Sequence, residues 1–308
     1  MTGTENSCAI QNIAPIEGDH ASFFSMQQDI IAGVYADHLQ VWKAGKRVAH
    51  SRISKAIPGY PQIVGRQILW GNGVFDFETG EYKTMFEIYP AMIAGSGVSA
   101  DPAPGAFYRP TFSAWSEDGL QCIITAAWTG PSGPPPVRAV LTDKNGTVTK
   151  LLWEGADLPI LAATFSKNFI AIATRNLRIF NRQGALLHEL PTATPAIRIN
   201  FSANEKKLME LAPQEIRVWN FADRQSELQL GGMWNDSSIS ASGQYILATG
   251  SKGELFCLSE SKEAYELEEI PLTDPVDSIT VGDNNFVASF RERPFIRTGK
   301  LNFQRNEE

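Results

Sequence analysis

Three stretches of this chain are near-copies of one another: Asp37-His38-Leu39-Gln40-Val41-Trp42-Lys43, Arg175-Asn176-Leu177-Arg178-Ile179-Phe180-Asn181 and Gln214-Glu215-Ile216-Arg217-Val218-Trp219-Asn220. In each, a short polar turn leads into aliphatic–polar–aliphatic–aromatic, the alternation of a strand with one buried face. Phe180 and Trp219 are 39 residues apart. A unit recurring at about 40 residues and built only of short strands is the signature of a β-propeller. The competing reading, a β-sandwich with chance spacing, does not suit an aromatic position that recurs at this interval along 308 residues.

Taken in order, the chain divides into strand groups separated by turn residues. A lone strand at 8–13 is ended by Pro15 and Gly18. Blades follow at about 20–53, 62–88, 107–153, 160–190, 196–230, 237–270 and 276–303. The seventh runs short of clear strands, and Cys8–Ile13 is expected to pair there, joining both ends of the chain in one blade and covering an open sheet edge. The expectation is an all-β chain, residues 1–308, forming a single β-propeller of seven four-stranded blades. That count rests on the second blade, whose strands are short.

Such a length is large for one compact core, a limit that radial repetition avoids because each blade packs only on its neighbours. The formal charge of −7 argues against a nucleic-acid surface, which needs clustered Lys and Arg. Cys8, Cys122 and Cys257 are far apart, odd in number and free of any C-x-x-C, which reads as reduced thiols in a reducing compartment. The opening residues lack a basic region and an apolar run, and no stretch is long enough to cross a bilayer as a helix. The expected location is the cytoplasm, with no membrane partner.

The repeats resemble those of WD40-like propellers along nearly the whole chain. The matching residues are Leu39–Lys43, Leu177–Asn181 and Ile216–Asn220, with Ser116-Glu117-Asp118-Gly119 similar to the turn between the first two strands of such a repeat. The pattern is degenerate: no repeat has a Gly-His pair, and Asn220 and Lys43 stand where Asp would follow Trp. The resemblance implies a propeller held by apolar packing between blades rather than by a His–Ser/Thr–Trp–Asp network, and it implies an interaction module. Fold alone does not fix function.

Catalytic chemistry is not visible. His20, His38, His50 and His188 have no metal-ligand spacing to one another, to Cys or to carboxylates. No nucleophile elbow occurs, and the glycines at Gly71, Gly73, Gly231 and Gly232 read as turn residues. The acidic run Glu263–Glu269 reads as an outer strand protected by charge. No catalytic residue, metal site or cofactor is expected.

Two insertions stand out. Tyr89–Phe107 is a long connection rich in Gly, Pro, Ala and Ser, and 129–136 holds four prolines. In this strand order, connections between blades and loops joining second to third strands lie at the same end of a blade. Both insertions flank the third blade and bring Tyr89, Met92, Phe107, Tyr108, Arg109 and Trp128 towards one region, with Trp70, Arg175, Trp234, Asp236 and Arg291 on the corresponding loops of other blades. Trp, Tyr, Arg and Met on loops are what interface hot spots are made of. The alternative for these aromatics is that they fold back to cap the central channel. The first functional expectation is a non-catalytic scaffold that binds a protein or peptide partner through this region. The alternatives are a propeller lyase or hydrolase and a small-molecule or glycan receptor, each using the central channel. Stoichiometric metal would favour the enzyme, and one aromatic repeated at one loop position would favour the receptor.

Overall fold

The structure, a computed structural model, describes residues 8–17, 21–53, 57–93, 107–130, 137–155, 159–192, 195–260, 265–282, 285–290 and 295–303. The N-terminal strand β1 (Cys8–Glu17) precedes the first sheet: β2 (Phe23–Gln27), β3 (Ile30–Tyr35), β4 (His38–Lys43) and β5 (Lys46–Arg52). The second holds β6 (Gln62–Val64), β7 (Gln67–Trp70), β8 (Gly73–Asp76) and β9 (Glu81–Thr84), followed by helix α1 (Ile88–Ile93). The third holds β10 (Tyr108–Trp115), β11 (Gln121–Trp128), β12 (Val137–Asp143) and β13 (Val148–Gly155). The fourth holds β14 (Ala163–Phe165), β15 (Phe169–Ala173), β16 (Asn176–Asn181) and β17 (Leu186–Pro191). The fifth holds β18 (Arg198–Phe201), β19 (Lys207–Ala212), β20 (Glu215–Asn220) and β21 (Ser226–Gly231). The sixth holds β22 (Trp234–Ile239), β23 (Tyr245–Gly250), β24 (Leu255–Glu260) and β25 (Tyr265–Ile270). The seventh runs β26 (Val276–Val281), β27 (Asn285–Phe290) and β28 (Phe295–Phe303), with β1 as its fourth strand.

Seven four-stranded antiparallel sheets, six of them meanders of consecutive strands and the seventh completed by β1, are the blades of an all-β propeller. The repeated heptapeptide is the third strand of three of them, and its aromatic side chain is core: Trp42, Phe180 and Trp219 are all buried. The predicted pairing of chain ends is present, with Cys8 opposite Phe303 and Glu17 opposite Phe295. Two details differ from the sequence reading. Pro15 does not end β1, which continues to Glu17 after an irregularity between Gln11 and Ala14; β1 is the edge of its sheet, the position in a sheet where proline is tolerated. The second blade, expected at about 62–88, ends in β9 at Thr84, and Ile88 opens α1 instead.

The turns follow from their side chains. In the Ser116–Gly119 turn, the Ser116 hydroxyl donates to Asp118 Oδ1 at 2.6 Å and accepts from Gln121 N at 2.9 Å, while Gly119 takes φ = 69°. Ser240–Gly243 repeats it, with φ = 75° at Gly243. A third copy, Ser202-Ala203-Asn204-Glu205, has Glu205 in the left-handed position at φ = 58°, where a side chain is disfavoured and glycine would be expected.

The chain divides into two compact units, Met1–Tyr35, Gln40–Val48 and Asn200–Glu308 in one and Ala36–Leu39 and Ala49–Ile199 in the other. Within the first, serine and threonine hydroxyls of the seventh sheet donate to backbone carbonyls beside β2: Ser289 to Ala21 at 2.7 Å and Ser278 to Ser22 at 2.9 Å. Trp42, Phe24, Ile31, Val287 and Ile296 form the apolar contact between the same two sheets. Between the sixth and seventh sheets, Asp236 Oδ2 accepts from the Ser278 hydroxyl at 2.7 Å and Ile279 N at 2.8 Å, and Oδ1 accepts from Ser237 N at 2.8 Å. Asp236 was expected on a loop; it is a buried strut on β22. Asp236→Ala withdraws an acceptor from three buried donors and is expected to cost about 3 kcal/mol, read as a lower urea midpoint. Within the second unit, Ser113 N donates to Pro58 O and Trp115 Nε1 to Gly71 O, both at 2.9 Å, tying the third sheet to the second.

Candidate interaction surface on the third sheet

The end of the third sheet where β10 begins and β11 ends is built as a pinned hairpin mouth. Tyr108 lies opposite Trp128 in register, and their rings meet edge to face with centroids 5.2 Å apart. One residue further out, Thr129 N and Oγ1 each donate to Phe107 O at 2.9 Å, and Oγ1 accepts from Phe107 N at 3.3 Å. Three hydrogen bonds at this pair hold the mouth closed.

Beneath the mouth is a clamp. Arg138 on β12 is buried; its Nη1 donates to the carbonyl of Met92 on α1, its Nε lies 3.1 Å from Glu154, and its guanidinium carbon sits 5.8 Å from the Tyr108 ring centroid. Met92 and Tyr108 share a core cluster with Leu69, Trp115, Cys122 and Ile124, against which Trp128 packs. A helix of six residues is too short to be stable alone, so this packing and the Arg138 bond are what fix α1 to the sheet. Burial pushes the Tyr108 phenol above its ordinary range, partly offset by Arg138.

The residues singled out from the sequence fall into three groups. Met92, Tyr108, Trp70 and Trp234 are core side chains, buried to 0%, 3%, 2% and 9% exposure, so they do not form the surface. Trp234 packs edge to face on Phe256 at 5.5 Å and belongs to the other compact unit. Arg175 is exposed on the turn between β15 and β16, apart from the third-sheet mouth. Arg291, with 94–106 and 131–136 of the two insertions, lies outside the described residues.

Phe107, Trp128, Arg109 and Tyr89 remain. Phe107 is 44% exposed, Arg109 is exposed, and Trp128 and Tyr89 are half-buried. Arg109 makes no ion pair among the described residues. Alternation places the exposed Phe107 ring and Arg109 on one side of the mouth, and the half-buried Trp128 with Tyr108 on the other. Sequence reasoning missed Arg138, Glu154 and Thr129. An arginine inside the apolar run Val137–Leu141 was the available signal for the first, since a buried guanidinium needs partners. No group of three or more His, Cys, Asp or Glu side chains that could hold a metal ion occurs among the described residues.

No family model matches the chain, and no curated protein matches it. Among solved structures, the β-propeller domain of Cps50 (Swd1) from Myceliophteria thermophila superposes with a TM-score of 0.63 over 96% of this chain and 100% of that one, at 15% sequence identity. With seven four-stranded sheets in sequential order, the chain has the seven-bladed, WD40-like β-propeller fold.

Proposed function

We propose that this protein is a non-catalytic scaffold that holds a protein or peptide partner at the Phe107–Thr129 mouth of the third sheet. The observation that carries the reading is Phe107, an aromatic ring 44% exposed on a backbone pinned by three hydrogen bonds. A large apolar ring held rigidly at the surface loses little conformational entropy on binding. Arg109, two positions along the chain, and Trp128, one residue inward on the paired strand, supply the other residue types that dominate interface energetics. The overall charge of −7 disfavours nucleic acid as that partner. No helix among the described residues is long and apolar enough to cross a membrane. Cys122 and Cys257 are buried free thiols, as suits a reducing compartment such as the cytoplasm.

The test is affinity purification from the native cells with the intact chain and with a Phe107→Ala/Arg109→Glu double variant. Recovery of the partner is expected to fall at least tenfold, while stability changes by no more than about 1 kcal/mol because both side chains are largely solvated. Equal recovery of the same partner by both chains moves the interface away from this mouth and overturns the assignment.

A further inference from the structure

A cleft of about 470 Å³ lies between the third and fourth sheets, at the end of the β10–β11 hairpin away from Phe107 and Trp128. Among the described residues Leu141 is the one aliphatic side chain lining it; Asp118, Gln121, Lys167, Arg182 and Gln183 supply most of the rest. Arg182 is held in place before any ligand arrives. Its Nε donates to Gln121 Oε1 at 2.8 Å, its Nη1 to Ser166 O at 3.0 Å, and its guanidinium carbon sits 5.0 Å from the centroid of the Phe165 ring. The remaining nitrogen, Nη2, is 3.6 Å from Asp118 Oδ2, beyond a good hydrogen bond. Asp118 does not depend on that contact, because its Oδ1 accepts from the Ser116 hydroxyl at 2.6 Å and from Leu120 N at 3.0 Å. Lys167 is exposed on the same rim, and its ammonium has no partner among the described residues.

We propose that this cleft binds an acidic peptide segment, with one side-chain carboxylate received by Nη2 of Arg182 and the ammonium of Lys167. A fixed guanidinium edge beside a free ammonium is a planar-carboxylate receptor with little left to order. Small-molecule sites are mostly apolar and enclosed, and this cleft is polar, which fits a peptide side chain better. A phosphate dianion is less suited, because the Asp118 carboxylate stays within reach of the same nitrogen. The chain as a whole carries −7 and repels acidic peptides, so a local pair of cations is the feature that would select one. The site does not rest on the Phe107 interface, since it lies at the other end of the same strands.

Fluorescence polarisation with a fluorescein-labelled, acetylated peptide of alternating Gly and Glu tests it, beside its Gln counterpart and a phosphoserine counterpart. The Glu peptide is expected to bind saturably at low salt, the Gln peptide at least tenfold more weakly, and the phosphoserine peptide no more tightly than the Glu peptide. Lys167→Glu and Arg182→Gln are each expected to weaken the Glu peptide at least tenfold. Lys167 is exposed, with no partner for its ammonium among the described residues, so its variant keeps the fold and decides the matter even where the Arg182 variant does not fold. No saturable binding, equal binding of the Glu and Gln peptides, tighter binding of the phosphoserine peptide, or unchanged binding by Lys167→Glu overturns the proposal. Partner recovery through Phe107 is unaffected by Lys167→Glu, which separates the two sites.

Discussion

Glu210→Gln is expected to stabilise the protein by roughly 3 kcal/mol at pH 8 and by only about 1 kcal/mol at pH 5. Glu210 sits on β19, a strand whose six side chains are all buried. Its Oε2 accepts from Trp219 Nε1 at 3.1 Å, the one hydrogen bond to its carboxyl among the described residues. Burial pushes its pKa up to about 7, against the opposing pull of the Trp219 hydrogen bond and the Arg217 charge. The folded state therefore keeps a proton that the unfolded chain has released, and between the unfolded value and pH 7 folding takes up protons. Stability falls as pH rises through this window, and above pH 7 the folded state carries the full cost of the buried charge. Glutamine keeps the oxygen that accepts from Trp219 and has no charge to bury. Urea midpoints of both chains between pH 5 and pH 8 decide it. A difference between the chains that does not grow with pH, or a variant less stable at pH 8, shows that Glu210 is not held protonated by burial.

The blade repeat is legible because it is written in one strand at a time. Trp42, Phe180 and Trp219 occupy the same place in the third strands β4, β16 and β20, and alternation carries each one inward. The turn after a first strand is legible in the same local way, through a serine whose hydroxyl closes it. The turn at Ser202 escaped because Glu205 stands where the other copies have glycine. The helix α1 escaped for a different reason: it is held by Arg138 from β12, a contact between residues 46 apart in the chain.

The candidate surface was legible in its location and not in its facing. Tyr108 and Trp115 differ by an odd number of positions, so unbroken alternation would place them on opposite faces of β10. They share one core cluster instead, because the register shifts between Pro110 and Phe112. Without that bulge in hand, the phase of the strand cannot be carried from Trp115 back to Tyr108, and whether Phe107 or Tyr108 faces solvent stays open. The same limit hides contacts between sheets. Lys207 on β19 reaches Glu260 at 2.6 Å, the Tyr265 hydroxyl at 2.8 Å and Glu227 at 3.0 Å, partners from three other strands that no spacing rule connects.

A chain beginning after Glu17 is expected to lose on the order of 5 kcal/mol, comparable with the whole stability of a typical domain, and to aggregate when expressed alone. The register of β1 pairs eight of its residues with β28, from Cys8 with Phe303 to Glu17 with Phe295. Removing β1 deletes those bonds and uncovers the nine-residue edge of β28, a template for pairing with another chain. The native sheet avoids that hazard by ending in β1, which carries Pro15 at its solvent edge. Because the lost interactions are mostly backbone, they can be supplied in trans. Co-expression with a peptide of residues 8–17 is expected to restore soluble protein, and the melting temperature of the complex should rise with peptide concentration, as for any ligand that binds only the folded state. A shortened chain that melts cooperatively within about 2 °C of the full one would show that three strands suffice for the seventh sheet. Rescue by the peptide, and its failure when the register is broken by a second proline opposite Thr298, would instead locate the stability of the last blade in the joining of the two chain ends.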